Sequence, residues 1–231
     1  MTNDVLVSIL GLTRETGKFP LEDLSTLTKM PLSKVRELAE ELSTEGILTL
    51  EQGVASVDAE KRVRMALKSL AQGADPEKVC RLLSWQEFEE ISVNALEANG
   101  FSAVKHFVLK AENRRREIDV IGVGRMLVIC LDCKHWTKGV RGAVGEGVAS
   151  RQIERVQILA ADERSKSRLG ISSKATVYFV PAIVSLLDSG QKFILEVPIV
   201  PVLKLNSFLS SIDPFIEDLF TLKVKGRVQQ P

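Results

Sequence analysis

Residues 117–134, EIDVIGVGRMLVICLDCK, decide how this chain is read. Two runs rich in β-branched residues, Glu117 to Val123 and Met126 to Lys134, flank a break led by Gly124, which predicts a β-hairpin. With Gly124 and Arg125 as a two-residue loop, Glu117 pairs with Asp132 and Asp119 lies diagonal to it. A three-residue loop shifts that register by one and leaves the i, i+2 relation of Asp132 and Lys134 intact. Strand alternation puts Glu117 and Asp119 on one face with Cys130, Asp132 and Lys134. Diagonal neighbours lie about 7–8 Å apart at the backbone, close enough for two carboxylates to share one cation.

Carboxylate oxygens are the ligands that Mg²⁺ and Mn²⁺ prefer, and Mg²⁺ commonly takes one or two of them, keeping other positions for water and phosphate. Asp119 and Asp132 are therefore candidate metal ligands, and Lys134 a candidate to orient water or offset charge on a phosphate undergoing hydrolysis. D-x-K is also a short and frequent pattern, found as solvent-facing positions of half-buried strands.

Ile118-Asp119 together with Asp132-Cys133-Lys134 resembles the motif of the PD-(D/E)XK nucleases. Phe88-Glu89, followed by Leu96 and Asn99-Gly100-Phe101, is similar to the opening of Mrr-type restriction endonuclease domains and archaeal Holliday-junction resolvases. The resemblance runs from Trp85 to Leu209. It implies an α/β fold with a restriction-endonuclease-like mixed central sheet flanked by helices, and a Mg²⁺- or Mn²⁺-dependent DNA endonuclease. Asp119, Asp132, Lys134 and Glu89 (ahead of Glu90) are the implied catalytic residues, Asp119 and Asp132 the metal ligands, and Glu117 an accessory acid. Gln152 matches a helix glutamine of some branches, although Val156 stands where its partner tyrosine would be. Asp132 also departs from the nearer patterns, since Mrr proteins commonly carry Gln there and the resolvases Glu. Cutting both strands of a duplex or junction needs two centres, so a homodimer is expected. The alternatives are a catalytically silent DNA-binding regulator or scaffold that retains the nuclease fold, and a protein-interaction module.

The net charge of +1 conceals an uneven distribution. Residues 1–85 hold 11 basic and 13 acidic side chains, whereas residues 105–174 hold 15 basic and 8 acidic, so the basic surplus surrounds the motif. Lysines and arginines that neutralise phosphates supply the sequence-independent part of DNA binding, and Arg114, Arg115, Arg116, Lys138 and Arg141 are the candidates. No apolar run approaches the ~20 residues of a membrane helix, and the start MTNDVLVSILG lacks a basic n-region, so a cytoplasmic location without membrane contact is expected. Three cysteines argue against a disulfide scaffold. Cys130-x-x-Cys133 does not read as zinc-binding, because residues three apart on a strand point to opposite faces and no second pair closes the site.

Gly139 to Gly147 (GVRGAVGEG) lacks the G-K-[ST] ending of a P-loop and the G-x-G-x-x-G spacing, so it reads as a loop rather than a nucleotide cofactor site. A helix is expected over 149–165, with Ile153, Val156, Leu159 and Ala160 toward the sheet. Strands follow over 175–180, 193–197 and 199–205, then a helix over 207–219. Pro181, Pro198 and Pro201 restrict regular pairing, and a polar tail covers 223–231. In residues 1–57, helices over 4–16, 21–27 and 33–44, the last capped by Ser33 and closed by Gly46, precede a hairpin over 47–57. This arrangement resembles a winged helix-turn-helix, which would bring Lys34 and Arg36 near DNA. Residues 58–84 read as a helical connector, and 85–222 as the nuclease domain.

Overall fold

Short amphipathic segments make up residues 1–90, the first of two units. In chain order they are α1 (Thr2–Leu12), β1 (Lys18–Pro20), α2 (Leu21–Thr28), α3 (Leu32–Thr44), β2 (Thr49–Glu51), β3 (Val54–Ser56), α4 (Ala59–Ala71) and α5 (Pro76–Arg81), and then the first turns of α6 (Trp85–Ala98), which runs on into the second unit. The computed structural model describes residues 2–111, 114–134, 136, 142–171, 176–186, 188 and 190–225.

The three strands pair antiparallel in the order β1-β3-β2. Gln52 and Gly53 both hold positive φ, 49° and 81°, as a tight two-residue hairpin turn requires. Strand β1 was not foreseen, since three residues are too few to show a period. Ser33 is not the cap of α3: extended Pro31 precedes the helix with no side-chain cap, its fixed φ already suited to a helix entrance. Residues 58–84 pack inside this unit. Asp58 caps α4 by accepting from the Lys61 N–H at 2.8 Å. The buried Arg62 donates to Glu87, to the carbonyls of Leu10 and Leu82 (both 2.7 Å), and to Thr13.

The second unit, residues 91–231, is built on a large mixed sheet flanked by helices. Its elements are β4 (Ser102–Ala111), β5 (Arg114–Val123), β6 (Leu127–Lys134), α7 (Gly142–Ala161), α8 (Glu163–Arg168), β7 (Val177–Ser185), β8 (Phe193–Ile194), β9 (Val197–Pro201), α9 (Leu205–Ser210) and β10 (Leu222–Val224). Strand order is β4-β5-β6-β7-β9-β8, with β10 also on β7; β6-β7-β9 run parallel and the other pairings are antiparallel. One sheet face packs on α7 through Ile121, Cys130, Val156, Leu159 and Phe179. On the other, Gly122 gives α6 room to approach, because a Cβ there would sit 2.4 Å from Leu96 Cδ2.

Several expectations change. Residues 142–147 are helical, because burial of Gly145 and the packing of Val148 and Ala149 against Ile183, Val197 and Ile199 outweigh the poor helix propensity of glycine. Pro181 lies mid-strand in β7. Along its outer edge β10 pairs with residues 177–179 and β9 with 183–185, so the missing N–H falls in the gap between them. The helix expected over 207–219 ends at Ser210 and gives way to a 3₁₀ segment, Asp213–Asp218, at Pro214. Residues 222–224, at the start of the supposed tail, form β10.

Candidate active site

The hairpin closes one residue later than expected. Gly124 donates to the Leu127 carbonyl at 2.8 Å, so Arg125 and Met126 form the loop, and Val123 pairs with Val128 and Val120 with Leu131. This register is displaced by two residues, which preserves which side chains share a face. The paired residues end at Val120 and Leu131, one step before Asp119 and Asp132.

Alternation itself breaks at Asp119. Arg116 reaches Glu154 on α7 and Ile118 joins the cluster on that face, as do Ile121 and Val123, whereas Gly122 faces α6. Glu117, lying between Arg116 and Ile118, therefore points away from the α7 face. It bonds His106 Nδ1 at 3.0 Å and lies 3.7 Å from Arg115. Glu117 is thus separated from Asp132 and Lys134, against expectation. On the neighbouring strand, His106 occupies the skipped position opposite Asp119 and holds φ +52°.

At the break, Asp119 Oδ2 accepts the Cys133 N–H at 2.7 Å, which brings its carboxylate to the residue next to Asp132. Asp132 is 1% exposed. Its Oδ1 accepts from Lys134 Nζ at 2.9 Å and from Arg155 Nη1 at 2.8 Å, and its buried Oδ2 has no hydrogen-bond partner. Arg155 also donates to Gln152 Oε1 at 3.3 Å, and buried Gln152 donates through Nε2 to the Cys130 carbonyl at 2.8 Å. Gln152 therefore steadies Arg155, and Arg155 steadies Asp132. Sequence reading gave Arg155 no role; the available signal was its spacing three residues after Gln152 on one helix.

Among the described residues, no cluster of three or more His, Cys, Asp or Glu side chains is arranged to hold a metal. The two-carboxylate set nevertheless suits Mg²⁺ or Mn²⁺: both are hard oxygen donors, and the orphaned Asp132 Oδ2 is a buried acceptor that a cation would satisfy. The C-x-x-C pair is split between the faces. Cys130 sits in the α7 cluster, where burial raises its thiol pKa, and Cys133 Sγ lies 3.7 Å from Ser92 Oγ on α6.

Glu89 is buried in the first unit and accepts from Trp85 Nε1. Arg114 and Arg115 are exposed, while Arg116 is bound to Glu154 at 2.5 Å. Lys138 and Arg141 lie outside the described residues. Lys34 pairs with Glu37 at 2.9 Å, and Arg36 is exposed on a helix that also carries Glu40 and Glu41. A cavity of about 630 Å³ at the hairpin end, lined by Phe101, Arg125, Tyr178, Asp213 and Glu217 among others, includes none of the candidate site residues.

No protein-family model matches the chain. An uncharacterized protein from Archaeoglobus fulgidus is 31% identical over 137 residues, which cover 59% of this chain and 97% of that protein. This chain belongs to the same family as that archaeal protein. The family relation carries no activity with it, since the relative's description names none. Among solved structures, protein VC1899 from Vibrio cholerae is similar at a TM-score of 0.39 and 13% identity; the match covers 97% of this chain and 52% of that one, and a likeness this loose carries no argument.

Proposed function

We propose that the chain is a metal-dependent DNA endonuclease whose second unit is a restriction-endonuclease-like nuclease domain and whose residues 1–57 form a winged helix-turn-helix. The observation that carries the reading is the bond of the Asp119 carboxylate to the Cys133 N–H, next to Asp132, with Lys134 on Asp132 and a buried Asp132 oxygen left unpartnered. A divalent cation held by Asp119 and Asp132 would supply Lewis acidity toward a phosphoryl oxygen and a more acidic water. Asp119 and Asp132 would hold that ion, and Lys134, a quarter exposed, would offer its ammonium to the phosphate or to the attacking water. Exposed Arg114 and Arg115 add sequence-independent attraction to DNA. A two-fold dimer would supply one centre per strand.

The test is cleavage of labelled duplex, single-stranded and four-way-junction DNA with Mg²⁺ or Mn²⁺. Asp119→Ala and Lys134→Ala should each lower the rate by about 10²-fold or more while DNA binding persists. Cleavage unchanged in Asp119→Ala would sink the assignment. One observation favours a second reading, the silent DNA-binding scaffold: both cations already occupy Asp132 Oδ1. That reading expects salt-sensitive DNA binding that needs no metal, and no cutting.

A further inference from the structure

We infer that Arg155 competes with the metal for Asp132 in the free protein and is the site's second phosphate-binding cation, so that divalent ion and phosphodiester bind together. The inference rests on the metal-dependent reading above and concerns how that site fills. Asp119, Asp132, Lys134 and Arg155 sum to zero formal charge, so the two carboxylates are already balanced before any ion arrives. Arg155 and Lys134 both bind Oδ1 of a carboxylate that is 1% exposed, while their own side chains remain 23% and 26% exposed. Each cationic head can therefore turn to a ligand entering from solvent, although the carboxylate cannot.

A divalent ion entering alone meets Asp132 with two positive charges within hydrogen-bond distance of it, and like charges this close oppose binding. A phosphodiester changes that balance. Its non-bridging oxygens accept from the guanidinium, which is built to grip phosphate through two nitrogens, and the added negative charge offsets the ion. Gln152 keeps the guanidinium in place, since it accepts from Arg155 and is itself anchored on the Cys130 carbonyl. Metal and phosphodiester thus raise each other's affinity, and by linkage the factor is the same in both directions, about 5- to 150-fold for couplings of ordinary size.

Mn²⁺ binding to the full chain, followed by electron paramagnetic resonance of the free ion, reads this directly with and without a short phosphorothioate duplex. Wild type should bind Mn²⁺ weakly alone and at least about tenfold tighter with the duplex. Arg155→Gln should bind Mn²⁺ several-fold tighter than wild type in the absence of duplex and lose most of the duplex effect, and Arg155→Lys, which keeps the charge, should retain the coupling. A merely structural arginine predicts the opposite sign, with Mn²⁺ binding weakened by Arg155→Gln, and that result, or no change, overturns the role of Arg155 alone. If Arg155→Gln fails to fold, loss of coupling in Arg155→Lys overturns it. No Mn²⁺ binding by wild type under either condition overturns the metal-dependent reading itself.

Discussion

His106 holds a left-handed backbone at φ +52° in the middle of a strand, a conformation that costs a non-glycine residue about 1–2 kcal/mol. Histidine tolerates it better than most residues, and the bond from Nδ1 to Glu117 returns only what an exposed pair gives, about 0–1 kcal/mol. His106→Gly should therefore be neutral or stabilising by up to about 1 kcal/mol, and His106→Val destabilising by more than about 1 kcal/mol, both measured by denaturant unfolding. A loss above about 1 kcal/mol in His106→Gly would mean that the imidazole matters more than the strain. The irregularity has a use at this scale. It lies opposite Asp119, where side-chain alternation in β5 breaks and the Asp119 carboxylate takes the Cys133 N–H. No pattern within residues 117–134 announces that break, because its partner, His106, belongs to a different strand.

The elements themselves were largely legible where periodicity is local. The β5–β6 hairpin and α7 follow from β-branched runs and from Val156, Leu159 and Ala160 at helical spacing. The register was not, because Gly124 takes a ladder pair instead of a loop position, and neither was the start of α7, where tertiary packing overrides glycine. Element-level forces give two tests. Gly122→Ala places a methyl 2.4 Å from fully buried Leu96, forcing that side chain to shift at a cost of about 1–3 kcal/mol, and adding Leu96→Ala should make the pair non-additive by relieving the clash. Additive losses would show that α6 does not rest on that glycine. At α4, the Lys61 N–H holds the Asp58 carboxyl below its ordinary pKa. A depressed folded pKa means that the cap stabilises fully above the ordinary carboxylate value, near 4, and that its contribution fades as pH falls through the lower folded value. Asp58→Ala should cost about 1 kcal/mol at pH 7 and lose its effect at the acid end of that window, so a pH-independent deficit would exclude the cap as its cause.

At the scale of the whole chain, the division between the units falls inside α6, and Glu87 explains why the first unit needs that helix. Its carboxylate accepts the Ser84 N–H at 2.7 Å through Oε2, closing a capping box with Ser84, and binds Arg62 at 2.5 Å through Oε1. Arg62 and Glu87 are both almost fully buried, and truncating one partner of such a pair strands a charge at about 3–5 kcal/mol. The boundary at 84/85 suggested by the resemblance would cut between them. A fragment of residues 1–84 should melt more than about 10 °C below one of residues 1–90, or show no cooperative transition, since each kcal/mol moves a domain of this size by about 4–8 °C. Glu87→Gln in the full chain separates charge from cap, because glutamine at the third helical position can still reach back to Ser84 but leaves Arg62 uncompensated. It should weaken the first unit while leaving the Asp119–Asp132 chemistry unchanged in a Mn²⁺ titration; equal stability of the two fragments together with a silent Glu87→Gln would show that Arg62 is satisfied by the Leu10, Thr13 and Leu82 oxygens alone.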